Sequence, residues 1–101
     1  LKRQIEKGLK SIKNKSKVII AYEPVWSIGT GVIPNEEALT QTISFIKSRF
    51  VKKCPKILYG GSVNTNNTDK LKKIPNIDGF LIGGASQNSN KFIDIIQKTI
   101  I

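Results

Sequence analysis

One carboxylate in this chain stands where an acid or base would be useful. Glu23 follows the apolar run Val18-Ile19-Ile20-Ala21-Tyr22 and precedes Pro24, Val25, Trp26 and Ile28. Proline restricts the residue before it to extended backbone, so strand geometry runs up to the carboxylate. Large apolar side chains closing over a substrate would exclude water from Glu23. Desolvation disfavours a charged carboxylate and makes it a stronger base. Gly29-Thr30-Gly31 comes next and can bring backbone N–H groups close to an anion. Its spacing is not GxGxxG, so it is no dinucleotide fingerprint. Two further glycine pairs close apolar runs: Gly60-Gly61 before Ser62, and Gly83-Gly84 before Ala85-Ser86. The second pair can open a short helix, whose N-terminus attracts phosphate.

Each of these has an ordinary alternative when taken alone. Glu23 can be a surface carboxylate with a plain loop behind it, and Gly60-Gly61-Ser62 can be a tight turn. Two glycine pairs on consecutive strands weigh more. In barrels, the loops after the last two strands commonly form a phosphate site.

Composition removes other chemistries. The 101 residues contain no His, which excludes Ser-His, Cys-His and His-metal chemistry from this chain acting alone. Cys54 is the single cysteine, so there is neither a disulfide framework nor a Cys cluster for zinc. It falls at the end of the second predicted helix with no neighbouring base. It reads as a buried or idle thiol in a reducing, cytoplasmic setting. No apolar run reaches the roughly 18 residues of a membrane span. Leu1 to Ser16 is charged and amphipathic and lacks the apolar core of a signal peptide. The absence of Met and the start at Leu1 lead us to expect further sequence upstream. The formal charge is +10, yet only Arg3 and Arg49 of the 17 basic residues are Arg. Bidentate phosphate and base recognition favours Arg. Lys, Ile and Asn all have A/T-rich codons, and the lysines are dispersed. The charge therefore argues weakly for a nucleic-acid partner.

The elements that must hold these residues alternate. Ile5, Leu9 and Ile12 predict a helix over 2–13, with Glu6 and Lys10 as a supporting pair. The run 18–22 reads as a strand buried on both faces, as in a parallel sheet. Asn35 is a good N-cap, with Glu36 and Glu37 suited to the helix dipole. That helix is expected to reach about Lys53, with Leu39, Ile43, Ile46 and Phe50 as its apolar stripe. Residues 56–59 predict a second strand. Thr68 to Ile74 predict a short helix stopped by Pro75. Residues 77–82 predict a third strand. Asn90 is expected to cap a last helix, with Phe92, Ile93, Ile96 and Ile100 apolar. The order α-β-α-β-α-β-α implies an α/β fold with parallel strands. Three such units are part of a closed (β/α)8 barrel, or a small doubly wound sheet.

Three strings together carry a resemblance. Ala21-Tyr22-Glu23-Pro24-Val25-Trp26 with Ile28-Gly29-Thr30-Gly31 resembles the active-site signature of the triosephosphate isomerase family. Tyr59-Gly60-Gly61-Ser62-Val63 and Asp78-Gly79-Phe80-Leu81-Ile82-Gly83-Gly84-Ala85-Ser86 resemble that family's seventh and eighth strands with their phosphate loops. All three occur in family order across nearly the whole chain. The resemblance implies a partial (β/α)8 TIM barrel, residues 1–101 being the C-terminal portion of one domain: the tail of helix 5 through helix 8. It implies that Glu23 is the general base moving a proton between adjacent carbons of a triose phosphate. It implies phosphate binding by Gly29, Ser62, Gly83 and Gly84, and a lid from Pro24 to about Pro34 that includes Val25, Trp26, Ile28, Thr30 and Gly31. No cofactor or metal is expected, because a carboxylate base and polar electrophiles suffice for an enediolate route.

The departures set further expectations. The family's Asn and Lys at the first strand and His at the fourth have no counterpart here, and five strands are unmatched. Val32-Ile33-Pro34 stand where many members have Lys-Thr-Ala. The chain is therefore expected to be inactive and marginally stable by itself, with Val18, Ile20, Ile57 and Ile82, or their alternating neighbours, facing water. An N-terminal half of the same enzyme is the expected partner. The family forms homodimers, but mainly through a loop not matched here. Neither a membrane nor a nucleic acid is expected as a partner. The alternatives are a non-catalytic remnant of a truncated gene, or a basic phosphate- or nucleic-acid-binding module.

Overall fold

The computed structural model describes residues 1–24, 32–50 and 54–100. Helix α1 spans Lys2–Gly8, and a 3-10 turn at Lys15–Lys17 leads into strand β1, Ile19–Tyr22. Helix α2 (Glu36–Ser48), strand β2 (Lys56–Gly60) and the short helix α3 (Thr68–Leu71) follow. Strand β3 (Gly79–Leu81), a 3-10 turn at Gly84–Gln87 and helix α4 (Ser89–Ile100) complete the order. The strands form one parallel sheet in the order β1-β2-β3. Ile20 pairs with Ile57 and Tyr22 with Tyr59, while Tyr59 pairs with Phe80.

Burial selects where the periodic pattern becomes helix. Leu39, Ile43 and Ile46 of α2 are buried as their spacing requires. They share one core with Ile57 and Tyr59 of β2, Val63, Leu71, Ile74 and Ile95. The Asn35 side chain accepts the Ala38 N–H at 2.7 Å and caps α2 as expected. By contrast α1 buries no residue. Its stripe reaches Leu9 and Ile12, but the helix stops at Gly8, short of the expected 13. Packing normally stabilises a short helix more than propensity does, and glycine is a poor helix former. Helix α4 buries Ile95, while the apolar Ile93 and Ile96 are exposed. Its start is held by Asn88, whose Oδ1 accepts the Lys91 N–H at 3.0 Å, rather than by Asn90. Helix α2 ends at Ser48 with Arg49 as its C-cap.

The sheet is covered unevenly. Central strand β2 buries Ile57 fully, so of the two alternating sets, one of which was expected to face water, it is the neighbours on the edge strands that are exposed. The outer strand β1 alternates between exposed and half-buried residues, not buried on both faces. Ile19 is 63% exposed, and Leu81 on the opposite edge strand is exposed too. Beside β1 runs an apolar cavity of about 350 Å³, walled in part by Ile5, Leu9, Val18 and Ile20. Among the described residues no helix is long and apolar enough to cross a membrane.

Asp78 fastens three elements. Its Oδ2 accepts the Ile57 N–H at 2.8 Å and the Lys47 ammonium at 3.1 Å. Its own N–H donates to the Ile57 carbonyl at 2.8 Å. Burial raises its pKa, but the Ile57 hydrogen bond and the Lys47 charge outweigh burial and hold the carboxyl below its ordinary 3.8. A depressed carboxylate stabilises the fold fully above the unfolded value and loses that contribution as pH falls through the folded one. The stability gap between the wild type and Asp78→Asn is thus expected to be flat near neutrality and to close as pH falls below 3.8. Urea midpoints across a pH series measure this, and a gap that widens with acid would contradict it.

Candidate active site

Glu23 lies one residue beyond the end of β1, and its neighbour across the sheet is the end of β2. The register Tyr22–Tyr59 sets this, because Glu23 then falls beside Gly60. The glutamate stem runs over that glycine. A Cβ built on Gly60 would sit 2.7 Å from Glu23 Cγ and 3.1 Å from Cδ. Glu23 is exposed and Pro24 buried, so the strand is anchored on both sides of a carboxylate that reaches solvent. The rings of the register partners Tyr22 and Tyr59 lie 6.3 Å apart.

The loop after β2 is more structured than a plain turn. Gly61 has φ 107° and Ser62 φ 62°, so two successive residues are left-handed. Glycine takes that conformation freely, and serine does so at a cost. The Ser62 carbonyl accepts from Asn67 Nδ2 at 2.6 Å and Asn64 Nδ2 at 3.3 Å. Asn64 Oδ1 in turn accepts the N–H groups of Asn66 and Asn67, and Asn67 Oδ1 accepts the Asn64 N–H. The buried Thr68 hydroxyl closes the network on the Asn64 carbonyl. Polar residues with reciprocal bonds of this kind hold a strained residue in place. Asn64 and Asn67 were not apparent as site-shaping residues in the sequence. The only signal was a run of short polar side chains after a glycine pair.

The glycines after β3 differ. Gly83 and Gly84 have no described atom within 4 Å of where a Cβ would stand. Packing among the described residues therefore gives no reason for glycine at either position. Ser86 bonds back to the Gly83 carbonyl through its N–H and its hydroxyl, which shapes the 3-10 turn. Gly84 and Asn64 line one cleft of about 420 Å³, so the loops after β2 and β3 converge. Gly29 of the expected phosphate set, and Val25, Trp26, Ile28, Thr30 and Gly31 of the expected lid, lie outside the described residues. Cys54 is half-buried just before β2.

The arrangement offers an accessible carboxylate and two glycine-bearing loops at the carboxyl ends of adjacent parallel strands. In α/β barrels that is the end where active sites are built. Comparison with known proteins agrees. The triosephosphate isomerase family model matches residues 1–99. The triosephosphate isomerase of Mycoplasma mobile is 47% identical over 97 residues, covering 96% of this chain and 40% of the relative. That of Mycoplasmopsis agalactiae is 49% identical over 84 residues, covering 83% and 32%. That of Francisella tularensis subsp. mediasiatica is 45% identical over 94 residues, covering 87% and 37%. The chain thus spans 32–40% of the length of these relatives. It belongs to the triosephosphate isomerase family, and its three parallel strands with their helices are part of a (β/α)8 barrel.

Proposed function

We propose that residues 1–101 are the C-terminal portion of a single (β/α)8 domain that interconverts dihydroxyacetone phosphate and D-glyceraldehyde 3-phosphate. The observation that carries this reading is the seat of Glu23 on Gly60, which sets a carboxylate beside the glycine loop after β2. Glu23 takes a proton from the carbon next to the carbonyl. It returns a proton to the adjacent carbon of the enediolate, while the hydroxyl proton passes from one substrate oxygen to the other through donors on the other strands, so that carbonyl and hydroxyl exchange places. Backbone N–H groups at Gly29, Ser62, Gly83 and Gly84 hold the substrate phosphate and so fix which carbon faces the base. Pro24, Val25, Trp26, Ile28, Thr30 and Gly31 form a lid that excludes water while the enediolate exists.

Negative charge develops on the substrate oxygen, and it needs hydrogen-bond donors. Losing one such donor costs about 10²–10³ in rate. The chain contains no His, so the family's His, with its Lys and Asn, comes from the other strands of the barrel. Those strands cover the open edges of β1 and β3, where Ile19 and Leu81 are exposed. The partners are therefore the triose phosphate, the N-terminal part of the barrel and, for the whole enzyme, a second subunit. A cytoplasmic setting suits the free thiol of Cys54.

An isomerase assay tests this directly. The 101-residue chain by itself is expected to be inactive, and activity is expected when the polypeptide bearing the remaining strands is supplied. Activity of the chain alone that disappears with Glu23→Gln would overturn the assignment of the electrophile to the other strands. Absence of activity in both preparations would overturn the isomerase reading.

A further inference from the structure

The glycine pair after β2 holds two glycines for two different reasons. Gly61 has φ 107°, a conformation that side chains resist. Gly60 lies outside the left-handed region, so its backbone would accept alanine. What alanine would meet there is the stem of Glu23, at 2.7 Å from Cγ and 3.1 Å from Cδ. Both are well inside the ~3.5–4.0 Å of good carbon–carbon contact. The next atom, Leu81 Cβ, is 3.4 Å away. Glu23 is thus the group that a side chain at 60 would displace first.

We propose that Gly60 is a positioning residue for the base. Its missing side chain forms the seat on which the Glu23 stem rests, and this fixes the carboxylate relative to the loop that follows. Among the described residues Glu23 is exposed, and the core cluster does not include it. A methyl group at 60 would swing the glutamate outward rather than disrupt the core. Displacement, not unfolding, is the consequence. The seat is a geometric statement about these two residues; its catalytic consequence rests on the isomerase reading above.

The test uses the full-length protein carrying Gly60→Ala, with Gly8→Ala as a control. Gly8 has open space where a Cβ would stand. The carboxyl carbon of Glu23 is followed by NMR with 13C-labelled glutamate, assigned through Glu23→Gln. In Gly60→Ala this resonance is expected to move, with kcat down about 10- to 100-fold, the scale of a misplacement near 1 Å. KM and thermal midpoint are expected to stay close to wild type. Gly8→Ala is expected to change none of these. An unmoved Glu23 resonance would overturn the proposal. A raised KM with kcat retained would also overturn it, by assigning Gly60 to phosphate binding. If Gly60→Ala does not fold, the double variant with Glu23→Ala is decisive. Restored folding supports the collision with Glu23, and continued failure places it elsewhere and refutes the seat. Should the wild type lack isomerase activity, the functional reading fails while the NMR comparison still decides the seat.

Discussion

In the full-length protein, Glu23→Gln is expected to lower kcat for triose phosphate isomerisation by about 10²–10⁴-fold, the contribution of a positioned general base. Glutamine keeps the stem that rests on Gly60 and changes only the terminal group. The amide cannot accept the substrate proton at neutral pH, so the loss falls on the chemical step. In the proposed reading the substrate phosphate is held by backbone groups and not by Glu23, so KM is expected to remain within about threefold. Glu23 is exposed, and such surface changes usually alter stability by no more than about 0.5 kcal/mol. Steady-state kinetics with a matched thermal scan measure both. Retention of more than about a tenth of the activity would mean that another group carries the proton.

The largest loss of stability is expected from Ile57→Ala, at about 2–5 kcal/mol. Ile57 is fully buried on the central strand, pairs with Ile20, donates its N–H to the Asp78 carboxylate and accepts the Asp78 N–H at its carbonyl. Truncation leaves a cavity beneath α2 with little freedom to collapse, because both neighbours of β2 are paired to it. Urea unfolding should show a lower midpoint with an unchanged slope. Ile19→Ala is the informative companion. At 63% exposure within these residues, it is expected to cost about 0.5 kcal/mol or less if the edge of β1 stays open. A loss of about 1 kcal/mol or more in the full-length protein would report that another strand covers it.

The alternation of elements was legible because local signals agreed with burial. Asn35 with Glu36 and Glu37 announced α2, and the stripe Leu39, Ile43, Ile46 became core. Where no core backed the pattern, the reading overran. Lys10 to Lys13 continue the periodicity of α1, but nothing in α1 is buried and the helix ends at Gly8. Strand β1 shows the reverse case: its apolar run was read as buried on both faces, yet Ile19 faces outward. A sequence run records the burial a residue is made for, and the covering element is not encoded in the run itself. Asn88 took the capping role expected of Asn90 because the 3-10 turn before it shifts the start of α4.

The candidate site was legible as motifs and not as contacts. Glu23 and the glycine pairs stood out by type and position. The role of Asp78 did not, since its partners Ile57 and Lys47 are distant in sequence. Neither did the Asn64–Asn67–Thr68 network behind Ser62, because reciprocal side-chain bonds leave no periodic trace. The two glycines 60 and 61 looked equivalent, and only backbone angles and the Glu23 stem separate them.

That separation has a historical consequence. Position 61 is constrained by folding, so any descendant that keeps this loop must keep its glycine or another residue tolerant of left-handed backbone. On the proposed reading, position 60 is constrained by the glutamate, and hence only for as long as a base is needed at 23. In a lineage that abandoned the reaction but retained the barrel, alanine and serine would accumulate at 60 while 61 stood still. The pair would then work as a molecular clock with one hand fixed, dating the loss of catalysis separately from the loss of the fold.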